Sequence, residues 1–129
     1  MPNQSAIGHH RWAVAEGYIP TSSTGPEPEM LSHETVCLLN AGPSPTEVRI
    51  TVYFSDRAPA GPYLVTLPAQ RTRHVRFNEL TEPEPVPTGT DYAFVVDSDQ
   101  PIVVQHTRLD SRQAENALMS TMAYPVPDR

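Results

Sequence analysis

Lysine is missing from this chain altogether, so its positive charge rests on arginine alone. Against 15 acidic side chains, that leaves a formal net charge of -6 at pH 7. Such a balance argues against a general nucleic-acid binder, because phosphate backbones are held by clustered positive charge. Nucleic acid is therefore expected to bind weakly or not at all. Cysteine is almost as scarce: Cys37 stands alone, so no internal disulfide can form and the fold depends on its core. Because it lies in the apolar run ETVCLLN, Cys37 is expected to be buried and inert. Apolar stretches of the about 20 residues needed for a membrane helix are also lacking, as is a basic segment leading into an apolar one. These absences predict a cytoplasmic protein with no direct membrane insertion. Room for helices is missing too, since 15 prolines interrupt every segment before Ala114.

What remains is a series of strands. The 129 residues suffice for one domain with its own core; residues 1–129 are expected to form it, with 1–8 and 126–129 flexible. RWAVAEGYIP reads as a short strand with Trp12 and Val14 facing in, followed by a long polar loop, TSSTGPEPEML. HETVCLLN and TEVRITVYF flank a turn built from Asn40, Gly42, Pro43 and Pro45, either as a hairpin or as consecutive strands of a sandwich. Along the second of these, Val48, Ile50, Val52 and Phe54 share one face while Arg49, Thr51 and Tyr53 share the other. PYLVTLP and RTRHVRF follow, joined at Pro68–Gln70, with Val75 and Phe77 inward and His74 and Arg76 opposite. After the acidic loop LTEPEPVPTGT, DYAFVVDSDQPIVVQHTRL reads as strand, Ser-Asp-Gln-Pro turn, strand. The tail to Pro125 is ambiguous between a helical face and an alternating one, and a loop plus a closing strand is the better fit. The sum is an all-β, two-layer antiparallel sandwich of about seven or eight strands.

Catalytic signals are sparse. No Gly-x-Ser-x-Gly elbow surrounds any serine, no His-Glu-x-x-His occurs, and no glycine-rich loop opens a helix that could cradle phosphate. The acidic clusters EPE and EPEP fall in loops, which hold carboxylates too loosely for paired acid and base chemistry. No cofactor or metal is implied. Two other features invite a binding role. Arg71, Arg73 and Arg76 gather in RTRHVR, a weak local anion site that would serve DNA binding if repeated around a symmetric oligomer. Tyrosines sharing an open concavity with His74 and Gln105 would make a sugar platform. The run HTRLDSR raises a further question. Arg108, Asp110 and Arg112 alternate there, and bidentate arginine–carboxylate pairs could tie a strand to its following loop or serve an interface. Strand 101–109 has apolar residues on both faces, and Leu118, Met119 and Met122 add more apolar surface than a small monomer covers, which predicts an oligomer.

Four stretches together carry a family likeness: RWAVAEGYIP; GPEPEMLSHETVCLLNAG; VYFSDRAPAGPY with RTRHVRFN; and PIVVQHTRLDSRQAENALMSTMAYP. Over residues 7–125 the chain resembles the sensory rhodopsin transducer family. The resemblance implies a β-sandwich similar to carbohydrate-binding sandwiches, assembled as a homotetramer. It also implies coupling to a rhodopsin-type membrane receptor through the receptor's cytoplasmic face, with a DNA-related output proposed for the family and no catalytic motif to carry over. Its matching polar residues are Glu16, His33, Glu34, Asp56, His74, Arg76, His106, Arg108, Asp110 and Arg112, to which the platform reading adds Gln105. The expected function is a non-enzymatic signalling adaptor relaying a photoreceptor's state by protein contact. The alternatives are a sugar or small-polar-ligand module and a weak DNA-binding regulator.

Overall fold

A computed structural model describes residues 6–127. Eight strands carry the fold: β1 (His9–Gly17), β2 (His33–Asn40), β3 (Thr46–Phe54), β4 (Ala60–Leu67), β5 (Arg71–Arg76), β6 (Tyr92–Asp110), β7 (Ala117–Met122) and β8 (Tyr124–Val126). A single 3-10 turn, Phe77–Glu79, follows β5. All pairings are antiparallel. The expected flexible ends fall largely outside the described residues; within them, Val126 lies opposite Arg11 in the ladder.

β6 is the spine. Its first half lies between β3 and β1, and its second half between β2 and β7. One sheet, A, therefore runs β4-β3-β6-β1-β8, and the other, B, runs β5-β2-β6-β7. Here the structure corrects the turn expected at Ser98–Pro101. That segment is a corner inside one 19-residue strand, carrying the chain from sheet A to sheet B. The strand crosses without closing a hairpin because neighbours satisfy its backbone. Thr46 Oγ1 accepts the Gln100 N–H at 2.9 Å, the carbonyl of Ile102 accepts the Trp12 indole N–H at 2.9 Å, and Ser98 O meets His10 Nδ1 at 3.2 Å. Proline, which brings no N–H, sits where partners change.

Two other crossings lie alongside this corner. β2 and β3 do not form a hairpin; they run end to end along β6 and pass from sheet B to sheet A. β4 and β5 do the same in reverse. Buried Asn40 ties both crossings together, its Nδ2 donating to Ser44 O (2.8 Å) and Pro68 O (3.2 Å), while its Oδ1 accepts the Gly42 N–H at 3.0 Å. Beside the β6 corner, Gly8 has φ +106, and a Cβ there would fall 2.1 Å from Ile102 O, so only glycine lets the start of β1 approach so closely.

Between the sheets the period-two faces meet as the sequence predicts. Trp12, Val14, Val48, Ile50, Val52 and Val75 are buried, and Phe77 packs at a tilt against Phe94, 4.7 Å between centroids. Ile19 and Val86, from the two proline-rich loops, fill the remaining gaps. The tail forms two strands and no helix. Cys37 departs from expectation: its neighbours Val36 and Leu38 point inward, so it faces out and is half-buried. Burial still pushes its thiol above the usual range, partly offset by Thr107.

Candidate functional site

Because β6 turns its corner, its two ends return to the same end of the sandwich, and four polar side chains meet there. Glu34 is fully buried on β2, opposite Arg108 in the ladder. Arg108 Nε donates to Glu34 Oε2 at 2.6 Å, and the Tyr92 hydroxyl, from the far end of β6, donates to Oε1. His106 Nε2 lies 3.2 Å from Oε1 but is not aligned for a hydrogen bond. Gly17 makes room, since a Cβ there would fall 2.4 Å from the Tyr92 ring.

Burial alone would raise the Glu34 carboxyl. The contacts from His106, Tyr92 and Arg108 outweigh it and hold the group below the ordinary carboxylate value, so Glu34 is an anion in the fold. Burial, and then the charge on Glu34, push the Tyr92 hydroxyl far above the ordinary phenol range. A carboxylate held as an anion by donors on both oxygens is a poor proton shuttle at neutral pH and a good structural hub.

A second network lies beside it. Ser32 Oγ donates to Ser22 O at 2.7 Å, accepts the Ser111 N–H at 2.9 Å and meets Ser111 Oγ at 3.0 Å. Arg112 grips Asp110 through Nε (3.0 Å) and Nη2 (2.7 Å). The run after strand 101–109 is thus a hydrogen-bonded corner, as the Asp110–Arg112 alternation suggests, but Arg108 turns inward to Glu34 and does not join that series.

The other sequence candidates scatter. Glu16 stands at the rim of the hub, 82% exposed, with its Oε2 4.0 Å from Arg108 Nη1. His74 and Gln105 flank Cys37 across three strands on the outer face of sheet B, in a shallow depression that also includes Leu39, Thr72 and Val103. No tyrosine lines it, because Tyr63 and Tyr92 are in the core and Tyr124 is on sheet A; the sugar platform is not assembled there. Arg71 and Arg73 fall on one side of β5 and Arg76 on the other, tied to Pro28 O at 2.8 Å, so the three do not form one patch. His33 contacts Leu31 O, and Asp56 is exposed in the loop after β3. Tyr92 is marked in the sequence only as one of several recognition tyrosines, and Ser32 and Ser111 fall in no motif; the signal for Tyr92 is its shared phase with Phe94 and Val96, since a polar group on an inward position must find a partner.

One groove touches the hub. About 300 Å³ in volume, it lies between β1 and β8 of sheet A and β7 of sheet B, lined by Val14, Glu16, Met119, Met122 and Tyr124 with His106 at its floor. Among the described residues, no three His, Cys, Asp or Glu side chains are grouped to hold a metal ion, and no helix is long and apolar enough to cross a membrane.

Comparison with known proteins places this architecture. A search of curated proteins finds no match. Among solved structures, the chain is similar to an Anabaena sensory rhodopsin transducer, with 58% identity and a TM-score of 0.73 over 81% of this chain and 100% of that one. It is also similar to the crystal structure of Thermotoga maritima 1070, with 30% identity and a TM-score of 0.84 over 93% of this chain and 97% of that one. The family model described as Anabaena sensory rhodopsin transducer matches residues 7–125, and the chain belongs to that family.

Proposed function

We propose that this chain is a non-enzymatic signalling adaptor that binds the cytoplasmic face of a rhodopsin-type membrane receptor and passes the receptor's state to a further partner. The observation that carries the reading is 58% identity to a transducer along that protein's full length. The site chemistry agrees with it. Glu34, the one fully buried carboxylate among the described residues, is spent on Arg108, Tyr92 and His106 rather than presented to a cleft.

The adaptor works as a homotetramer. The support is the outer face of sheet B, where Leu39 lies directly opposite Val103 and Cys37 opposite Gln105, and β7 continues the strip with Leu118 and Met122. Sheet A's outer face instead carries the ion pairs Arg11–Asp97 (2.9 Å) and Arg49–Asp99 (3.1 Å). A sheet face whose central rows carry no ion pair suits subunit contact, and one laced with ion pairs suits water.

Relay requires unequal affinity for two receptor states, because equal affinity shifts nothing. The test is binding of this chain to Anabaena sensory rhodopsin in nanodiscs, measured by biolayer interferometry in darkness and under illumination. Binding that differs between the two conditions supports the adaptor. Absence of binding in both sinks it.

A further inference from the structure

We infer that the groove between β7 and the β1/β8 edge receives an extended cationic segment of a partner protein. The segment adds as a strand to the free edge of β7 and lays an arginine or lysine side chain against Glu16 and Tyr124. This deepens the adaptor reading and rests on it.

The first observation is the edge itself. β7 pairs with β6 on one side and, among the described residues, with nothing on the other. Its six residues, ALMSTM, are all exposed and include no charge and no proline. Edge strands left bare are normally protected by lysine, proline or a bulge, because an open row of N–H and C=O groups templates pairing with another strand. An edge without those guards is suited to strand addition, in which backbone bonds supply affinity and side-chain pockets supply specificity.

The second observation is what such a strand would cover. Met119 and Thr121 lie opposite Arg108 and His106 in the ladder, so they share the inner side of sheet B. A strand added beyond β7 extends that side over the groove, and its inward side chains drop toward Glu16, Tyr124 and His106. The thioethers of Met119 and Met122 adapt to differing shapes, and the exposed Tyr124 ring offers a face to a cation.

The third is the sign of the charge. At this end of the sandwich Arg108 is held by Glu34 and Arg112 by Asp110. The other carboxylates lining the groove and the adjoining hollow are Glu16, which lies 4.0 Å from Arg108, and Glu115, beside Ala117. With a chain charge of -6 behind them, these carboxylates favour a cationic partner over an anionic one.

The experiment is an amide-resolved NMR titration of the full chain with short capped peptides alternating Ser and Val around a central Arg. Controls carry a central Glu or are N-methylated on the backbone. The expected result is movement of the Ala117–Met122 amides and of the His106 ring signals. Affinity should fall about tenfold for the central-Glu peptide and for Glu16→Gln, and be lost on N-methylation. Shifts confined to other strands, indifference to Glu16→Gln, or β7 amides already covered by a second copy would overturn the inference. Glu16→Gln is a surface change that leaves the core alone. The same variant is then offered to Anabaena sensory rhodopsin in nanodiscs. Equal rhodopsin binding of wild type and variant, with the peptide response lost in the variant, keeps the adaptor and assigns the groove to its further partner. Peptide binding without rhodopsin binding removes the rhodopsin adaptor and keeps the groove.

Discussion

A carboxylate with no solvent contact must be neutral or fully partnered, and Glu34 is partnered. Glu34→Gln removes the charge but leaves the Arg108 guanidinium beside it, whose Nη2 already has no hydrogen-bond partner among the described residues. Arg108 is 15% exposed and keeps Glu16 at 4.0 Å, so losing its charged partner costs about 1.5–3 kcal/mol, that of a hydrogen bond to a charged group, and urea unfolding at pH 7 should show a loss of that order. The pH dependence has a definite sign. The folded Glu34 value lies below the ordinary 4.5, so its contribution is complete above that range and is lost as pH falls through the folded value. The gap between wild type and Glu34→Gln should therefore narrow on acidification below 4.5. A gap that widened in acid would mean the carboxyl is not the stabilising partner. Glu34 and Arg108 were both legible as candidate residues. The Tyr92–Glu34 bond, between residues 58 apart in sequence, was not, because no local pattern says that the two ends of β6 come together.

Strands show the same division. Period two placed Val48, Ile50 and Val52 in the core without error, since alternation is a local consequence of backbone geometry. Ser-Asp-Gln-Pro read as a turn because its composition is that of turns, yet the inward phase of Phe94, Val96 and Ser98 continues unbroken through Ile102 and Val104. That unbroken phase was the available sign of one bent strand. The same rule would have turned Cys37 outward between Val36 and Leu38. What holds the corner is tertiary. Thr46 Oγ1 accepts from Gln100 N–H and meets Ser98 Oγ at 2.8 Å. Thr46→Val keeps the shape and β-branching but removes the oxygen, leaving a part-buried N–H and a buried hydroxyl without that partner. The expected cost is about 1–3 kcal/mol, with faster hydrogen exchange at the Gln100 amide than at core amides such as Val96. Unchanged exchange at Gln100 would mean that Thr46 does not hold the corner.

For the molecule as a whole, the two outer faces assign different roles to the two sheets. Sheet A spends its surface on cross-strand ion pairs such as Arg11–Asp97, whose members oppose each other in the ladder. Exposed pairs of this kind add little stability, but they keep a sheet face wet and unattractive to another copy. Sheet B has no such pairs along the row Leu39–Val103 or the row His74–Cys37–Gln105–Met122. If that face is the subunit contact, a charge at its centre should break the assembly without touching the core, because Val103 is outward while Ile102 and Val104 hold the inside. Val103→Arg is expected to move the mass seen by light scattering after size exclusion from that of a tetramer toward that of a single chain. Its thermal midpoint should change only by what assembly contributed, a difference that shrinks on dilution. A tetramer that survives Val103→Arg would move the contact elsewhere, and the exposed β7 edge would then be the next surface to test, in competition with the cationic segment assigned to it above.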